Sequence, residues 1–142
     1  MSLSRFVRAV VVAADSDSIA TVARQMRDAR VGCVVVTHEE RPIGIVTDRD
    51  LVLRVLAEER NPSTTRVLDI VSYGPFVVKE TDEIETAVRV MREHGVRRLP
   101  VVDDAGKLVG VVTNDDLVVL LGRELAALAE GIADDCDASD SR

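Results

Sequence analysis

The sequence predicts an α/β (α+β) fold assembled from two pseudo-symmetric copies of one β-α-β-β-α unit, and three observations carry that expectation. The stretch Gly44, Ile45, Val46, Thr47, Asp48, Arg49, Asp50, Leu51 returns 66 residues later as Gly110, Val111, Val112, Thr113, Asn114, Asp115, Asp116, Leu117, with five of eight positions identical. Upstream, at an offset of 65, Ile19, Val22, Ala23, Met26 and Val31 lie over Ile84, Ala87, Val88, Met91 and Val96. Both halves then show the same succession of short valine-rich runs and one-faced helical stripes, the mark of alternating strands and helices.

In the first half, residues 10–12 are a β-branched run, and Asp15, Ser16, Asp17 and Ser18 supply helix-capping side chains. Ile19, Val22, Ala23 and Met26 recur at i, i+3, i+4, i+7, so they line one face of a helix whose Arg24, Arg27 and Asp28 face water. Residues 31–36 are apolar, too short for a helix and rich in valine, as in a strand buried on both faces. Residues 38–42 turn, residues 43–46 form a paired strand, and from Asp48 a second helix runs through Leu51, Val52, Leu53, Val55, Leu56 and Ala57, broken only by Arg54. A helix that apolar requires cover on two sides.

The second half repeats this order, with a strand over 76–78, a one-faced helix over 81–94, a hairpin of 99–102 and 108–112 around Asp103–Gly106, and an apolar helix from Leu117 through Leu125 and Leu128. Gly131 is the expected stop. The units are therefore placed at 7–60 and 67–128, with a breaker-rich linker at 61–66 and an acidic, disordered tail at 129–142. Each unit is too small to bury a core alone, so the halves pack on each other, and the residual apolar helix faces predict a homodimer.

Composition narrows the function. With 142 residues and 46% hydrophobic content the chain can fill a core, yet no run approaches the ~20 apolar residues of a membrane span. Residues 1–5 lack the apolar centre of a signal peptide, so a cytoplasmic location is expected. A net charge of −7 and an aromatic complement of Phe6, Tyr73 and Phe76 disfavour a nucleic acid partner. Cys33 reads as a small buried hydrophobe and Cys136 lies in the polar tail, so no disulfide is expected. His38, His94, the cysteines and the acids show no metal-ligand spacing, and no nucleophile has a base at a suggestive distance, so no metal, no cofactor and no enzymatic activity are expected.

The duplicated Gly-x-Val-Thr-x-x-Asp motif, together with Gly95, Val96, Arg97, Arg98, Leu99, Pro100, Val101, Val102, Asp103, resembles a tandem pair of cystathionine β-synthase (CBS) domains, a Bateman module, over most of the chain. The resemblance implies a stand-alone regulatory module that binds AMP, ADP, ATP or S-adenosylmethionine in clefts between its halves and dimerises into a flat disc. A carboxylate can accept both ribose hydroxyls, which makes Asp50 and Asp116 the ribose candidates, the role the family gives that position. Helix N-termini favour anions, so Thr47 and Thr113, with Arg49, Arg97 and Arg98, are the phosphate candidates. Val11, Val12, Tyr73, Phe76, Val77 and Pro100 are the adenine candidates by resemblance.

Thr-x-x-Asp at a helix start is also a capping-box pattern, in which hydroxyl and acid satisfy backbone donors and nothing else. Capping boxes favour Glu or Gln, and both copies sit within longer family-like segments, so ligand binding is the favoured reading. The alternative is a constitutive dimerisation or interaction module whose clefts stay empty. The halves also differ, because Gly32 and Cys33 stand where the second half has Arg97 and Arg98, and two sites of unequal affinity follow.

Overall fold

The computed structural model describes residues 1–71, 74 and 76–140, with side chains as far as 136. Its two three-stranded sheets match the two predicted units. The first unit comprises β1 (Val12–Ala14), α1 (Ile19–Ala29), β2 (Cys33–His38), β3 (Arg41–Thr47) and α2 (Asp48–Leu51), which continues as a wider π turn over Val52–Leu56. The second comprises β4 (Val78–Lys79), α3 (Ile84–His94), β5 (Arg98–Val102), β6 (Leu108–Thr113) and α4 (Asn114–Asp140). In each unit the first strand pairs parallel with the second across the helix, and the second pairs antiparallel with the third.

Side-chain periodicity explains the helix faces. Ile19, Val22 and Met26 are buried on α1, and Ile84, Ala87 and Met91 on α3, as the spacing predicts. Ala23 and Val88, assigned to the same stripes, are exposed. The buried face is narrower than a full i, i+3, i+4, i+7 set because each helix covers only a three-stranded sheet. Ser18 caps α1 by accepting from the Thr21 N–H at 3.2 Å. Both helices end in the left-handed region, at Arg30 (φ 55°) and Gly95 (φ 63°), one repeat apart.

The cores are completed crosswise. Leu3 and Phe6, on a 3-10 turn at the start of the chain, are buried among Val78, Ile84, Leu99 and Leu117 of the second unit. Conversely Val67, Ile70 and Val71 are buried among Ala13, Val22, Val34 and Val46 of the first. Backbone bonds follow the same route: Leu3 N–H donates to Asp82 O (2.9 Å), Arg8 and Val111 exchange N–H···O bonds (2.9 Å each), and Val67 N–H donates to Asp17 O (2.8 Å). Residues 67–71, which by sequence open the second half, thus pack in the first. Gly110 is required by this arrangement, because a Cβ there would collide with Arg8 O and stand 2.7 Å from Val7 Cγ1.

The hairpin tips of the two units also touch. Leu108 N–H donates to Glu40 O at 2.9 Å, and Lys107 Nζ lies 3.0 Å from the Glu40 carboxylate. At the other end the structure corrects the sequence: α4 continues through Gly131 to Asp140, where a stop and a disordered tail were expected. Glycine within a helix costs about 1 kcal/mol relative to alanine, and the surrounding Ala126, Ala127, Ala129 and Ala133 favour helix enough to carry the chain through.

Because Leu3 has no exposed surface and belongs to the second core, Leu3→Ala is expected to lower unfolding stability by about 2–5 kcal/mol. Urea denaturation monitored by circular dichroism measures it, and a loss below about 0.5 kcal/mol would contradict the crossed packing.

Candidate functional site

Both copies of the motif fall at a strand-to-helix junction, β3 to α2 and β6 to α4. At the first, Thr47 has extended backbone (φ −107°, ψ 163°) and its Oγ1 accepts from the Asp50 N–H at 3.2 Å, while Asp50 Oδ2 accepts from the Thr47 N–H at 2.9 Å. The capping box is closed. The shorter aspartate makes the return bond that glutamate usually makes, so residue preference did not exclude the cap. Arg54 Nε approaches Asp50 Oδ1 at 3.9 Å, and its Nη1 donates to Ile70 O at 2.6 Å, tying the helix to the lead-in of the second half.

The second copy is only half closed. Thr113 Oγ1 accepts from the Asp116 N–H at 3.1 Å, but the return bond from Thr113 N–H is not made. The Asp116 carboxylate, 16% exposed, instead pairs with Arg8 Nε at 3.0 Å. The Arg8 side chain is 70% exposed, so on the protein side Asp116 is sheltered while its cation reaches in from solvent. An ion pair so open to water contributes little to stability and can exchange for another partner. Arg8 is brought there by its bridge to Val111 on β6. Sequence reading missed it, because residue 8 belongs to no motif and its partner Asp116 lies in the other half of the chain. One repeat on, its position corresponds to Tyr73, an adenine candidate that lies outside the described residues.

The phosphate candidates divide. Thr47 and Thr113 stand at the junctions, and Arg49 is exposed on α2. Arg97 Nη2 lies 2.7 Å from Asp115 Oδ1, an ion pair open to solvent on both sides, so an anion arriving there competes with Asp115 for the guanidinium. Arg98 is exposed on β5, near enough to the first unit for its charge to act, with that of Asp48, on the Cys33 thiol. Burial pushes that thiol's pKa up, with Arg98 lowering it and Asp48 raising it in turn.

Of the adenine candidates, Val12, Phe76 and Val77 are exposed and Val11 is half-buried against the first core. Val12 lines a groove of about 240 Å³ between the units, with Thr37, Glu40 and Leu108. Phe76 stacks on His94, ring centroids 3.7 Å apart and planes 13° off parallel, and is 44% exposed. Pro100 is a correction: it is fully buried on β5, paired with Val111, and has no surface to offer a base. Among the described residues no three His, Cys, Asp or Glu side chains converge on a possible metal position, and no helix is long and apolar enough to cross a membrane.

The fold and the two junctions define a duplicated α/β module whose paired units each carry a threonine and an aspartate at the start of their last helix. The CBS domain model matches residues 5–57 and 67–123, and the chain belongs to the CBS-domain family as a tandem pair. An uncharacterised protein of Methanopyrus kandleri is 40% identical over 112 residues, 78% of this chain and 57% of that protein, so the chain spans little more than half of that relative. Hypoxic response protein 1 of Mycobacterium tuberculosis is 30% identical over 109 residues, 76% of each chain. A CBS domain protein of Pyrobaculum aerophilum, solved in complex with AMP, superposes with a TM-score of 0.74 at 32% identity, covering 89% of this chain and 99% of that one.

Cys33 provides a check on the interface geometry. Since its folded pKa is raised, any stability it adds is present below the ordinary thiol pKa of about 8.5 and is lost as pH rises toward the folded value. Its thiolate is correspondingly scarce. Iodoacetamide at pH 8 is expected to modify exposed Cys136 well before Cys33, as mass spectrometry would register, and equal rates would refute the shielding.

Proposed function

We propose that this chain is a cytoplasmic, non-enzymatic regulatory module that binds an adenosine-containing ligand (AMP, ADP, ATP or S-adenosylmethionine) and acts on a separate partner protein. The observation that carries the reading is Asp116, a sheltered carboxylate outside a closed capping box, held by one solvent-exposed arginine. Its two oxygens suit a ribose diol, and Arg8, once displaced, is a solvent-exposed cation free to pair with the ligand's phosphate. Likeness to an AMP-complexed relative supports the ligand class. Val12, Val77 and Phe76 remain the exposed surfaces for a base.

The two sites are unequal on this reading. Asp50 gives up a backbone bond to Thr47 if it takes a ribose, whereas Asp116 gives up only Arg8. That closed box at Asp50 also favours the second reading for the first half, a cap and contact surface with no ligand. The module works as a homodimer: Val52, Leu53 and Leu56 of the first unit and Val118, Val119 and Leu121 of the second are exposed apolar side chains on corresponding helices.

Isothermal titration calorimetry with AMP, ATP and S-adenosylmethionine tests the assignment. Asp116→Asn is expected to weaken binding by about 1.5–3 kcal/mol, tenfold or more, with little change in stability. Asp50→Asn is expected to do the reverse, lowering stability by up to about 1 kcal/mol with a smaller effect on affinity. No binding by the wild type, or equal and unchanged affinity in both variants, would leave the interaction-module reading in its place.

A further inference from the structure

The last helix is three times the length of its counterpart. Residues 48–56 make nine residues of helix in the first unit, whereas α4 has 27, about 40 Å. The CBS match ends at residue 123, so residues 124–140 extend the helix past the domain. Along it Val118, Leu121, Leu125, Leu128 and Ile132 alternate in steps of three and four, the a and d positions of two heptads. Leu125, Leu128 and Ile132 are 69%, 64% and 60% exposed, and none of the described residues covers them.

We propose that this stripe is the seam of a parallel two-stranded coiled coil with the α4 helix of a second copy of the chain. The inference rests on the homodimer reading above and adds the segment and the direction. Length selects the occupant: among the described elements of this chain only α4 is long enough to match the 15 residues of the stripe, since α1 and α3 have 11 each and the last helix of the first unit nine. Area agrees, since five side chains at roughly 100 Å² apiece bury about 1,000 Å² over both copies, near the threshold of a specific interface, and of the disc contact only Val52, Leu53, Leu56 and Val119 add to that sum.

Register selects the direction. In a parallel pair every layer matches a like residue, Val118 with Val118 through Ile132 with Ile132. Antiparallel registers set a against d, and they place either Ile132 against Asn114 or Val118 against Asp135, which strands an apolar side chain on a polar one. The flanking e and g positions within the stripe are Gly122, Glu124, Ala129 and Gly131, so a parallel seam brings no like charges together before Asp135 ends it. Two heptads are too few to hold two chains alone, and the coil therefore extends the contact of the disc helices and fixes its orientation.

The test uses the full chain with Cys33→Ser, Cys136→Ser and Ile132→Cys, oxidised with copper–phenanthroline and run on a non-reducing gel. A parallel seam gives a disulfide-linked dimer, whereas antiparallel registers hold the two cysteines at least about 16 Å apart. Separately, Leu128→Arg is expected to raise the dimer dissociation constant at least tenfold in sedimentation, with the circular dichroism of the fold unchanged. A dimer that neither cross-links at residue 132 nor responds to Leu128→Arg overturns the coiled coil and leaves the homodimer standing. A wild-type monomer at micromolar concentration overturns both.

Discussion

The exchange of lead-in segments is the constraint on which the rest of this structure depends. Neither unit closes its own core: the first needs Val67, Ile70 and Val71 from the segment preceding the second, and the second needs Leu3 and Phe6 from the segment preceding the first. Each of these side chains is worth about 1.5–3 kcal/mol on burial, a large share of the stability of a small domain. The two halves therefore fold as one body, and the apolar contact they share is made by the exchanged lead-in segments.

The same exchange shapes the candidate site. The segment that carries Leu3 and Phe6 into the second core goes on to bridge β6 at Arg8, and that bridge sets a guanidinium on Asp116. At the first unit the corresponding aspartate closes its capping box. Two motifs identical at their threonine and aspartate thus differ in what their carboxylates hold. The difference arises from what the lead-in delivers, and Gly110 is the residue that lets it approach.

Charge balance between the halves is likewise a tertiary property. Arg97 pairs with Asp115 at the next junction, while the charge of Arg98 in the second unit lowers the pKa of Cys33 in the first. The first unit has no arginine on β2, and the cation that acts on Cys33 there belongs to the second unit. A count of basic residues per half would miss this, since the relevant distance runs between halves.

The amino-acid sequence by itself determined the repeat, the order of elements, the buried faces of α1 and α3 and the family, because period and local turn chemistry are properties of neighbouring residues. It placed both aspartates at strand-to-helix junctions for the same reason. Only the tertiary structure decided which core each lead-in completes, that Pro100 is buried, that Arg97 meets an acid, that Arg8 meets Asp116 and that α4 runs on past Gly131. Those outcomes turn on partners distant along the chain, or on the balance between one glycine and its helical neighbours, and no periodicity encodes either.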